Sequence, residues 1–144
     1  MIIYRDKRYM FVEYFNEQNG FLMRSNILDG NVETDVQPCM RSFPELLDIG
    51  IMGTCEACKD GICKAAGVDC YQNAVHAVRP NMSFAAYCNI VEQCKGKTFQ
   101  VALGGAGDPN KHEDFEKILK VTRDNHIVPN YTTSGFGLSR EEVK

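Results

Sequence analysis

The order of apolar runs after Glu45 constrains this chain more than any other feature. Leu46-Leu47-Asp48-Ile49-Gly50-Ile51-Met52 is a short apolar run stopped by Gly53, which suits a buried strand. Phe84, Tyr87, Cys88 and Val91 then recur at helical spacing, with Asn81 or Ser83 as the N-cap and Gly96 as the stop. Thr98-Phe99-Gln100-Val101-Ala102-Leu103 reads as a second buried strand. Asn110 with Glu113 resembles a capping box for a helix whose Phe115, Ile118, Leu119 and Thr122 share a face. Ile127 to Thr132 is a third strand, weakened by Pro129, and Ser139-Arg140-Glu141-Glu142 reads as a capping box opening a further helix. Strand, helix, strand, helix, strand implies right-handed parallel crossovers and a layered α/β fold.

The first third has a different rhythm. Tyr9-Met10-Phe11-Val12-Glu13-Tyr14-Phe15 is rich in aromatic and branched residues, Asn19-Gly20 signals a hairpin turn, and Phe21 to Ser25 would be the returning strand. Asp29-Gly30 marks another turn, and the stretch from Gln37-Pro38-Cys39-Met40 to Phe43-Pro44 reads as a connector. The expectation is a small antiparallel β extension with its connector over residues 1–43, packed beside a βα part over residues 44–144.

Composition narrows the function classes. A chain of 144 residues makes one modest domain, and 44 % apolar with 24 % charged residues is globular composition. A net charge of −3 gives no basic footprint for nucleic acid. No run approaches the roughly 18 apolar residues of a membrane span, and Arg5, Asp6, Lys7 and Arg8 fall where a signal peptide needs apolar residues. A cytoplasmic protein is expected.

The seven cysteines are an odd number, and Cys55, Cys58, Cys63 and Cys70 lie within one short stretch. In a reducing compartment such clustering points to metal or catalysis rather than to disulfides. Cys39, Cys88 and Cys94 are scattered and read as small buried fillers. Soft thiolates on one loop suit zinc or an iron–sulfur cluster. One reading is a Cys₄ zinc site of Cys55, Cys58, Cys63 and Cys70 that holds a binding module together without catalysis. A redox pair at Cys55 and Cys58 is weaker, because such motifs open a helix and this one runs on into Lys59-Asp60-Gly61.

Ligands gather at the carboxyl ends of parallel strands. There the sequence places the cysteine loop, then Gly104-Gly105-Ala106-Gly107-Asp108-Pro109, then Thr132-Thr133-Ser134-Gly135. In this order the three loops, over about residues 45–137, resemble the radical S-adenosylmethionine superfamily. Ala106-Gly107-Asp108-Pro109 stands where that family has Gly-Gly-Glu-Pro, Pro109-Asn110-Lys111-His112-Glu113-Asp114-Phe115 resembles its Pro-x-x-His-Pro-Asp-Phe, and Thr132-Thr133-Ser134-Gly135 its Thr-Thr-Asn-Gly. The family's C-x3-C-x2-C spacing is absent, and Cys70-Tyr71 resembles its aromatic-flanked last cysteine.

The resemblance implies a partial (βα) barrel built from its first three βα units. It implies Cys55, Cys63 and Cys70 as ligands of a [4Fe–4S] cluster, with Cys58 in place of Cys70 as the other choice. S-adenosylmethionine would bind the open iron and be held by Ala106, Gly107, Asp108, Thr133 and Ser134. Reductive cleavage to a 5′-deoxyadenosyl radical would need an electron donor such as flavodoxin or ferredoxin. A full barrel takes about 250 residues, so an N-terminal fragment is expected, a poor catalyst with an apolar concave face and an open edge suited to self-association. The substrate is not legible.

Overall fold

The computed structural model describes residues 1–28, 31–33, 40–135 and 137–140. The Asp29-Gly30 turn, Gln37 to Cys39 of the connector, and Glu141 and Glu142 of the last capping box lie outside the described residues. Two sheets make up the fold. The first is an antiparallel meander in the order β1 (Ile2–Asp6), β2 (Phe11–Phe15), β3 (Leu22–Leu28) and β4 (Asn31–Glu33). Sequence patterning found β2 and β3 but named no strand over β1, whose charged end (Arg5-Asp6) masks its alternation.

The second sheet holds β5 (Leu46–Met52), β6 (Gln100–Gly105) and β7 (Val128–Tyr131), all parallel, with β6 in the centre. Two four-residue helices, α1 (Glu56–Lys59) and α2 (Ile62–Ala65), and a turn of 3₁₀ helix over Ala74–His76 follow β5. The crossovers are α3 (Phe84–Cys94) and α4 (Phe115–Asp124). Ser83 caps α3, its hydroxyl accepting the Ala86 N–H at 3.3 Å. The expected Asn110 and Glu113 box does not start α4. Pro109 begins a separate 3₁₀ turn over Pro109–Lys111, and Asp114 takes the cap position.

Both long helices join one face of the parallel sheet. Ile49, Ile51, Val101 and Leu103 point there and pack with Tyr87, Val91, Cys94, Phe115 and Ile118. The Tyr87 hydroxyl and the Thr122 hydroxyl meet at 2.7 Å inside that core, so neither polar group is left unpaired. Period-2 alternation turns Asp48, Gly50, Gln100, Ala102, Gly104 and Asn130 to the other face. Leu46 and Val128 share it at the end away from the strands' carboxyl termini, so toward those termini the face is small and polar, where an apolar surface was expected. The Asn130 amide donates to the Gln100 side-chain oxygen across it at 3.0 Å. The three strands form an open sheet, and no barrel closure is seen among the described residues.

The two sheets meet through aromatics and a buried ion cluster. Phe15 stacks on Phe99 with ring centroids 4.9 Å apart. Glu13 is fully buried and accepts from Arg24 Nε at 2.6 Å and Arg41 Nε at 2.7 Å. Arg41 also donates to the Phe43 and Lys97 carbonyls, and its guanidinium lies over the rings of Tyr4 and Phe99. Among the described residues no helix is long and apolar enough to cross a membrane.

Candidate functional site

The three sequence-marked loops do converge at the carboxyl ends of β5, β6 and β7, where they line a cleft of about 420 Å³. Their glycines serve the convergence. A Cβ on Gly107 would lie 2.4 Å from the Thr54 carbonyl oxygen, and one on Gly105, at φ +121°, would lie 2.3 Å from that of Met52. Backbone thus touches backbone where any side chain would hold the loops apart. The Ala106 N–H donates to the Met52 carbonyl at 2.8 Å, sealing the contact.

The residues expected to grip a nucleoside cofactor are largely engaged with one another. The Asp108 carboxylate accepts from the Thr133 hydroxyl at 3.2 Å and from the N–H and hydroxyl of Ser134. The Asn110 side-chain oxygen also faces the Thr133 hydroxyl at 3.1 Å. This network latches the loop after β6 to the loop after β7, and all three of Asp108, Thr133 and Ser134 still border the cleft.

The sulfurs are not arranged as a ligand cage among the described residues. Cys55 is the N-cap of α1, its Sγ accepting the Cys58 N–H at 3.4 Å. The Cys55-x2-Cys58 motif therefore does open a helix, contrary to the reading that set it aside. Burial, with the neighbouring Cys55 and Cys70 thiols adding to it, pushes the Cys58 thiol up to about 12. Cys70 moves the other way. The N–H of Ala74, with those of Gln72 and Asn73 and the Cys58 thiol, holds its thiol below the ordinary range against the effect of burial. Cys63 sits on α2, behind the left-handed Gly61, and borders the cleft with the other three.

Among the described residues no group of three or more Cys, His, Asp or Glu side chains is placed to hold a metal ion. This overturns the expected [4Fe–4S] centre on Cys55, Cys63 and Cys70, and equally the Cys₄ zinc site with Cys58. The reason is local. The Cys55 sulfur caps α1, Cys70 heads a turn closed by the Asn73 N–H on its carbonyl at 2.9 Å, and Cys63 lies on a separate short helix. With no open iron to chelate S-adenosylmethionine, the expected cofactor pair and its radical cleavage fall together. No family model, curated protein or solved structure matches the chain.

Two features escaped sequence reading. Asp48 lies on the polar face of β5 and borders the cleft; a lone acid inside an apolar run is the signal that marked it. His112 is buried at 4 % exposure. Its Nδ1 accepts the Asp114 N–H at 3.0 Å, which places the proton on Nε2, 2.8 Å from the Met82 carbonyl. It fastens the start of α4 to the segment before α3, and it has no part in the cleft.

Proposed function

We propose that the cleft is a thiol reaction centre, with Cys70 as nucleophile and Cys58 as resolving thiol, acting on small-molecule disulfides. The observation that carries this reading is that Cys58 and Cys70 border the same cleft, Cys70 heading a turn closed by the Asn73 N–H on its carbonyl at 2.9 Å; the backbone N–H groups of that turn lower the Cys70 thiol. Backbone donors stabilise a thiolate, the reactive form in disulfide exchange. The Cys70 thiolate attacks one sulfur of a disulfide RSSR′, forms a mixed disulfide and expels RS⁻, which takes a proton from water. That step removes the negative charge beside Cys58 and lets its proton leave. Cys58 then attacks the Cys70 sulfur, expels R′S⁻ and leaves a Cys58–Cys70 disulfide. The small disulfide is the oxidant, and a dithiol reductant restores both thiols.

The parallel part is read here as the first three units of a partial (βα) barrel. Kinship in loop order with the radical S-adenosylmethionine superfamily belongs to that reading, supported by the glycine loop and Thr132-Thr133-Ser134-Gly135 following successive strands; the cluster chemistry does not.

Alkylation by iodoacetamide, followed site by site with mass spectrometry, tests the proposal. Cys70 should react fastest of the described cysteines, with its half-maximal rate below about pH 8.5. Treatment with cystamine should then yield a product two hydrogens lighter, crosslinked between Cys58 and Cys70, whereas C58S should stop at the mixed disulfide. Alkylation of Cys70 no faster than of Cys88, or a C58S variant that still closes a disulfide at Cys70, would overturn it.

A further inference from the structure

Between the end of β5, the Cys70 turn and residues 79–82 lies a second cavity of about 510 Å³. It shares the wall formed by Gln72, Gly105 and Ala106 with the thiol cleft. The two cavities differ in charge. Asp48, Asp69 and Asp108 border the thiol cleft, which has no Lys or Arg among its described lining residues. The second cavity is bordered by Arg79, His76, Gln72 and Asn73, all four exposed, and among the described residues no Asp or Glu lines it. For a chain of net charge −3 this is a local reversal of sign.

The backbone beneath these donors is anchored. The Arg79 N–H donates to the Gly53 carbonyl at 3.2 Å, and the Met82 N–H to the Ile51 carbonyl at 2.9 Å, so residues 79–82 run along the end of β5. Gly53 makes this approach feasible, because a Cβ there would lie 2.4 Å from the carbonyl oxygens of both Arg79 and Pro80. On the opposite wall His76 closes the 3₁₀ turn whose Ala74 is completely buried. The Arg79 guanidinium has no hydrogen-bonded or ion-paired partner among the described residues. An exposed, unpaired arginine that borders a cavity together with a histidine and two amide residues has a planar set of N–H donors of the kind that binds oxyanions.

We infer that this second cavity binds the oxyanion end, phosphate or carboxylate, of a small molecule, with Arg79 as the charge partner and His76 as an auxiliary donor. The inference is independent of the thiol reading, because none of its donors is a cysteine. The shared wall would let a ligand held by its anionic end reach across Ala106 toward Cys70.

Isothermal titration at matched ionic strength tests it, with inorganic phosphate and acetate as probes. Saturable binding of one of them is expected in the millimolar range, and tighter phosphate or tighter acetate identifies the group. R79Q should weaken binding roughly tenfold or more, the loss of one charge-assisted contact, and H76Q should weaken it less. Lys117→Gln on α4, away from the cavity, should leave it unchanged, as should C70S. The Arg79 Nε–H resonance should shift on titration, a readout that needs no activity. Absence of binding at about 20 mM of either anion, or R79Q binding as the wild type does, would overturn the inference.

Discussion

Replacing Glu13 by Gln should destabilise this protein more than any other single change of charge. The Glu13 side chain has no exposed surface, and its two oxygens are divided between Arg24 and Arg41. The two arginines would fare differently. Arg24 is 20 % exposed and keeps a second carboxylate, Glu45, at 3.0 Å. Arg41 is only 7 % exposed, and among the described residues it has no carboxylate other than Glu13. Breaking a buried pair costs about 3–5 kcal/mol, because the remaining charge stays in a poorly solvating site. The two carbonyls and two rings that also hold Arg41 put E13Q at the low end, roughly 3 kcal/mol. For a chain of this size that is a fall in Tm of about 6–12 °C. Thermal unfolding followed by far-UV circular dichroism measures it, with R24Q expected to lose about 1 kcal/mol or less. In E13L/R41M, which removes both charges of the buried pair, the loss should be well below the sum of the single variants. An E13Q midpoint within about 2 °C of the wild type, or additive single losses, would refute the reasoning.

Three further outcomes follow from described contacts. Asp6 is 2 % exposed and is held at about 2 by the N–H groups of Ser42 and Tyr9 and the hydroxyls of Ser42 and Tyr4, although burial alone would raise it. Its folded value is depressed, so its stabilisation is complete above the unfolded value near 3.8 and is lost as pH falls toward about 2; D6N should flatten the acid limb of a Tm-against-pH curve in that window. Replacing His112 by Phe keeps a ring but leaves the Met82 carbonyl and Asp114 N–H without their partner, costing about 1–3 kcal/mol in urea unfolding. Gly107→Ala should force Thr54 away from the loop after β6, costing about 1–3 kcal/mol and changing the Cys70 alkylation rate, whereas Gly96→Ala, strained by its φ of +69° but outside the cleft, should lower stability and leave that rate alone.

Periodicity made the parallel sheet legible because its signal is physical: Ile49, Ile51, Val101 and Leu103 must all face α3 and α4, the stop at Gly53 is a close backbone contact, and that at Gly96 is a left-handed turn at φ +69°. The strand-end position of the site was legible for the same reason. What four cysteines on one loop would do was not. Spacing counts residues, whereas metal binding depends on where each sulfur points. Here the N-cap geometry of Cys55 and the turn after Cys70 settle that direction, through φ/ψ values that no count reveals. The start of α4 was misread because Asn110 and Glu113 had partners elsewhere: Asn110 faces Thr133, and Glu113 accepts from the Asn81 amide at 2.8 Å. The polarity of the open sheet face was visible in Asp48, Gln100 and Asn130, once alternation is taken at face value.

The place of Arg41 bears on how the chain comes apart. One guanidinium joins Glu13 of the antiparallel meander to the Lys97 carbonyl just ahead of β6, and lies over a ring from each side, Tyr4 and Phe99. Opening either sheet alone would strand that charge in the half that stays folded, a cost larger than most local openings can bear. The two sheets are consequently one cooperative unit, in which amides of β2 and β6 exchange through the same global event.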